Sequence, residues 1–326
     1  MKRRQLAQTL LTLTAAPTLA GLARYAHAQS GPWPNRPIRL IVPVGPGGVA
    51  DILAREFAQQ LSERLGQPVV VDNRPGAATV IGTTAVAKAS PDGYTLLLAL
   101  TGLIQNPVQM KSVPYDPIKD FTPIARIGPT ATILAVRSGL GPTNATEFVR
   151  AARGKRWAFS STAPGPQVIM EIFNKTNDLG MTHVAYKSEP AALTDLLNGE
   201  VQTGLFSVAA TKGHIQAGKI TPLAVLAPAR IPALPQVPTF VEQGFKEISW
   251  TGGWYAFMAP AGLPPEIADR LTREIKAIYD DPKVNRKMVD MEIILNWADG
   301  KTFAPLIQRD MDLWRELVRQ SGVTFE

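Results

Sequence analysis

Ile38-Arg39-Leu40-Ile41-Val42-Pro43-Val44-Gly45-Pro46-Gly47-Gly48-Val49-Ala50-Asp51 is the stretch on which the fold turns. Its first six residues form an apolar, β-rich run of strand length, which the turn Val44-Gly45-Pro46-Gly47-Gly48 ends. Beyond the turn the period changes. Leu53, Phe57, Leu61 and Leu65 recur every four residues, Asp51 sits in the first turn and Gly66 stands at the stop, predicting a helix over 50–65. Val69-Val70-Val71 predicts a second strand, Asn73-Arg74-Pro75-Gly76 a loop, the segment from Ile81 a small-residue helix, and Tyr94 to Ala99 a third strand. That alternation with short links implies a largely parallel sheet covered by helices. Ligands of such sheets bind beyond the carboxyl ends of the strands, so the turns after the strands are the places to look.

Further along, the apolar stretch Ile124 to Val136 leads through Gly139 and Gly141 into a second α/β unit. Strands are predicted there near 157–160, 182–185, 203–206 and 223–226, with helices near 166–174 and 191–197. The Pro-rich link Arg230 to Pro238 precedes another apolar run, Ser249-Trp250 to Met258. Two helices close the chain: one after Pro264-Pro265 carrying Ile267, Leu271, Ile275 and Ile278, the other over 303–319 carrying Ile307, Met311, Trp314 and Val318. The expected organisation is domain 1 over 29–133, domain 2 over 134–250, and a return to domain 1 over 251–326. Two α/β domains joined by two crossover strands would then enclose a ligand cleft.

The residues before this frame read as an export signal. Lys2, Arg3 and Arg4 are followed by an apolar or small stretch from Leu6 to Ala23, and Ala26-His27-Ala28 suits cleavage after Ala28. Removing Lys2, Arg3, Arg4 and Arg24, with no acid among the first 28 residues, lowers the net charge from +7 to +3. The only basic cluster, Arg150 to Arg156, reads as a helix face and end, not as the aromatic-interleaved basic stripe of a nucleic-acid binder. The chain has no cysteine, which excludes disulfides, thiolate chemistry and Cys-ligated metals. His183 and His214, the histidines left after the signal, have no motif-based partners, so neither metal nor cofactor is expected.

Ordered strings along the mature chain carry a family resemblance. They include Trp33-Pro34-Asn35-Arg36-Pro37, the Pro43 to Asp51 loop, Gly66 to Ala77, Ser90-Pro91-Asp92-Gly93-Tyr94, Val113-Pro114-Tyr115-Asp116-Pro117, Tyr186-Lys187, Ala233-Leu234-Pro235 and Ala259-Pro260-Ala261-Gly262. The chain resembles the substrate-binding receptors of tripartite tricarboxylate transporters, the Bug family of periplasmic proteins. The resemblance implies a type II periplasmic-binding-protein fold, a monomer, and no catalysis. It also implies a small carboxylate ligand held largely by backbone amides and ordered water, and membrane permease subunits as partners.

Candidate ligand contacts follow from the turns and the resemblance together. Gly47 and Gly48, with Val44, Gly45 and Pro46, let backbone approach a ligand at a helix N-terminus, where an anion is favoured. Gly45-x-Gly47-Gly48 alone also suits a tight turn or, less well with Ala50 at the sixth position, a dinucleotide site. Asp51 reads as a ligand contact or as an acid holding the N–H groups of the loop. Thr101 and Gly102 match a cleft-facing position of the family, and Ser160, Ser161 and Thr162 follow a strand with hydroxyls to offer. Lys187 would add charge, and Trp250, Trp254 and Tyr255 would stack a ligand or pack the connecting strands. Ala78 and Thr79 stand where the family commonly has glycines, and Ser207 stands where it often has Asp. A transport receptor, a periplasmic sensor and a secreted enzyme all remain open, although the enzyme lacks a visible acid–base pair.

Overall fold

The structure is a computed structural model that describes residues 32–248 and 253–324. The signal segment, its junction after Ala28, and Trp250 lie outside the described residues. Elements are numbered in chain order. β1 (Ile38–Val42) is buried except at Arg39, whose guanidinium meets the Asp72 carboxylate at 2.7 Å. Burial on both faces explains its apolar reading, which only Arg39 interrupts. α1 (Val49–Leu65) turns Leu53, Phe57, Leu61 and Leu65 onto the sheet and ends at Gly66 with φ 69, the left-handed cap glycine favours. β2 (Val69–Asn73) and β3 (Thr95–Leu100) pair parallel on either side of β1, and α2 (Val80–Ala87) connects them.

The sheet is not wholly parallel. β4 (Phe121–Pro129), β10 (Trp254–Pro260) and β11 (Ala298–Asp299) complete the order β11-β4-β10-β3-β1-β2, and β10 runs antiparallel to both β3 and β4. A strand that arrives from the other half of the molecule enters at the sheet's middle, a long-range pairing that no local period encodes. The second sheet contains β5 (Thr132–Arg137), β6 (Ala158–Ser161), β7 (Thr182–Ala185), β8 (Thr203–Ser207) and β9 (Ile220–Val225) in the order β7-β6-β8-β5-β9. Around it lie α4 (Ala145–Ala152), α5 (Pro164–Thr176), α6 (Glu189–Asn198) and α7 (Val208–Gln216).

The chain passes from one sheet to the other through Thr130 and Ala131. Thr130 N–H donates to the Gly253 carbonyl at 2.7 Å and Ala131 N–H to the Glu292 carbonyl at 3.1 Å, so the outgoing and returning segments are stitched together. α8 (Pro265–Tyr279) and α9 (Pro282–Asp290) cover the first sheet, and α10 (Gly300–Ser321) closes the chain. Phe303, Ile307 and Met311 of α10 sit in a core with Leu103, Trp254 and Met258, whereas Trp314 and Leu317 sit in the second core beside Phe148 and Phe173. The last helix therefore joins one core of the first sheet to one core of the second.

Candidate functional site

A cavity of about 380 Å³ opens between the two sheets, at the low end of the range for small-ligand sites. Its first wall is the carboxyl end of β3, where Leu100, Thr101 and Gly102 lead into α3 (Gly102–Gln109). Thr101 is buried, and its hydroxyl accepts the Trp254 N–H at 2.7 Å, tying this turn to the start of β10. Ile104 and Gln105 N–H groups return to the Thr101 carbonyl, while the Gly102 and Leu103 amides have no acceptor within the helix. Gln105, Asn106 and Gln109 line the cavity from α3, and Gly253, Trp254, Tyr255 and Thr130 line it from the paired crossovers. Trp254 packs edge-on against Phe303, and burial pushes the Tyr255 phenol well above its ordinary pKa.

Ala78 and Thr79 form the next wall. Ala77, Ala78 and Thr79 have φ of 45, 50 and 81, three successive non-glycine residues in the left-handed region. Each is strained there and persists only where its surroundings impose it. Asn106 imposes it, donating from Nδ2 to the Ala78 carbonyl at 2.7 Å. A Cβ on Gly102 would lie 2.7 Å from Thr79 Oγ1, so glycine at 102 is what lets the loop close over the helix start.

The opposite wall comes from the second sheet. Thr162, Ala163 and Pro164 follow β6 and open α5. Across the gap, the Gln105 carboxamide lies against Gly165, whose added Cβ would meet Gln105 Nε2 at 3.1 Å. Gln109 is 5 % exposed, and its Nε2 is buried without a hydrogen-bond partner. Among the described lining residues none is charged.

Of the residues singled out from the sequence, the cavity gathers Ala78, Thr79, Thr101, Gly102, Thr162, Trp254 and Tyr255. Val44, Gly45, Pro46, Gly47, Gly48 and Asp51 do not line it. Their loop is braced from within: the buried Asp51 carboxylate accepts from Gly47 N–H, Arg55 Nε and Asn73 Nδ2, each at 3.0 Å. The Arg55 hydrogen bond, aided by those from Gly47 and Asn73, holds the Asp51 carboxyl down at about 2 against the opposing effect of burial. Ser160 is buried in its strand, Ser161 Oγ lies 2.7 Å from the His183 ring, and Lys187 is exposed. Ser207 caps α7 and donates its hydroxyl to Glu189 at 2.9 Å. Missed altogether were Gln105, Asn106 and Gln109. Their spacing places them together on one side of a short helix just past a strand's carboxyl end, but Pro107 hides the helical period.

Two α/β sheets joined by paired crossovers, with a cavity where the strands end, define a two-domain solute-binding protein of the type II periplasmic-binding fold. The family model for the tripartite tricarboxylate transporter family receptor matches residues 53–323. BugT of Bordetella pertussis is 34% identical over 309 residues, which cover 93% of this chain and 94% of that protein. The chain belongs to the tripartite tricarboxylate transporter receptor family. An R. palustris protein solved with adipate superposes with a TM-score of 0.79 at 30% identity, covering 90% of this chain and 100% of the other. MatC of Rhodopseudomonas palustris, solved with bound malate, gives a TM-score of 0.72 at 25% identity, covering 88% and 100%.

Proposed function

We propose that this protein is a periplasmic receptor that captures a small organic carboxylate in the cavity between its two sheets and delivers it to the membrane permease subunits of a tripartite tricarboxylate transporter. The observation that carries the reading is the convergence of Thr79, Thr101 and Gly102 from one sheet with Thr162 from the other on a single cavity. Unpaired first-turn amides at Gly102 and Leu103, with hydroxyls beside them, suit an oxyanion without an arginine. Family membership and the adipate and malate bound to its structural neighbours support the ligand class. In this reading residues 29–133 and 251–326 form one jaw and 134–250 the other. Export is by cleavage after Ala28, and the mature receptor is a monomer without a catalytic step.

The test is uptake of radiolabelled carboxylates by cells with and without the gene. Loss of uptake on deletion, with rescue by the intact gene only when the permease genes are present, is the expected result. Unchanged uptake of every carboxylate tried, or turnover of a bound carboxylate by the purified protein, overturns the receptor reading.

A further inference from the structure

We infer that the second-sheet end of the cavity is built for an uncharged group, so that the preferred ligand is a monocarboxylate or the monoamide of a dicarboxylate. This rests on the carboxylate-receptor reading above and narrows its ligand class.

The two ends of the cavity differ in what they offer. Toward the first sheet, Gly102, whose amide has no acceptor within the helix, and the hydroxyls of Thr79 and Thr101 line the cavity and suit a carboxylate. Toward the second sheet the N–H donors are few, and Thr162 adds one hydroxyl. α5 opens Pro164-Gly165-Pro166, so two of its first three residues have no N–H, and Gly165 lies against the Gln105 side chain. The following amide, that of Gln167, is already given to the Ala163 carbonyl at 3.3 Å. No described lining residue is cationic. A second carboxylate placed here would lose its water and meet fewer N–H donors than at the first end.

Gln105 and Gln109, one helical turn apart, supply something different. A carboxamide both donates and accepts, whereas a carboxylate only accepts. The Gln109 Nε2 is buried with no partner, and a donor left in that state is costly until a carbonyl oxygen reaches it. The pair thus complements an amide or another neutral carbonyl end, and Leu100 and Trp254 beside it suit the hydrocarbon between the two ends.

Isothermal titration calorimetry of the mature chain with adipate, adipic acid monoamide and hexanoate holds chain length fixed and varies only the second end. The monoamide or hexanoate is expected to bind at least about tenfold more tightly than adipate. Adipate binding as tightly as both, or more tightly, overturns the inference. If none of the three binds, and neither benzoate nor tricarballylate does, the carboxylate reading itself fails and this inference goes with it. Gln105→Lys supplies the missing cation and is expected to reverse the order in favour of adipate. An unchanged order in the folded variant counts against the assignment, and if that variant does not fold the wild-type order still decides.

Discussion

At Asp51 one buried carboxylate accepts hydrogen bonds from a loop amide, an asparagine and an arginine, and so fixes how β1 passes into α1. Arg55 is more than half exposed, so the ion pair itself adds little in water, and the larger cost of losing the carboxylate falls on the Gly47 and Asn73 donors. Asp51→Ala is expected to destabilise the protein by about 1–3 kcal/mol at neutral pH. The pH dependence has a definite sign. The folded carboxyl titrates at about 2 against an ordinary 3.8, so its stabilisation is complete above 3.8 and is lost as pH falls through about 2. Urea denaturation of wild type and variant should therefore show a gap that narrows in that interval, and a gap unchanged by acid would contradict this role. The sequence presented Asp51 as either a brace or a ligand contact. Its three partners come from positions four before, four after and 22 after it, and only folding brings the last of these alongside.

Among the elements, the turn from Gly76 to Thr79 and the helix α3 behind it form one unit. Three left-handed non-glycine residues are held there by the Asn106 clamp. Left-handed backbone costs such a residue roughly 1–2 kcal/mol, of which glycine's greater chain entropy would return about 0.5–1. Ala78→Gly is accordingly expected to stabilise the apo protein by about 0.5–1 kcal/mol, seen as a higher denaturation midpoint. A lower midpoint would mean that the Ala78 methyl packs better than the strain costs. Most strands and the long helices α1, α8 and α10 were legible because Leu53, Phe57 and Leu61, or Ile267, Leu271 and Ile275, repeat their period within one element, whereas the short α7 and α9 were not read. α3 was not, because eight residues with an internal proline carry too little pattern. The antiparallel entry of β10 was equally hidden, since Met258 pairs with Leu97 across the whole second unit.

At the scale of the molecule, two cores share one C-terminal helix and are linked by crossovers that touch at Thr130 and Gly253. The cavity lies beside that junction, so a ligand held there contacts both sheets and favours whichever arrangement brings them together. The two-unit architecture could be read from the order of elements and from the family strings. The position of the cavity could in part: the turns at Thr101 and Thr162 line it, whereas the glycine-rich turn Val44 to Gly48 suggests a ligand loop while its conformation serves the Asp51 brace. Hydrogen-exchange mass spectrometry of the mature protein with and without saturating hexanoate, adipate or tricarballylate distinguishes these locations in one measurement. The expected result is ligand-dependent protection of amides in 78–81, 101–106 and 162–168 together. Protection confined to 44–51, or none with any of the three acids, would contradict a carboxylate site between the two sheets.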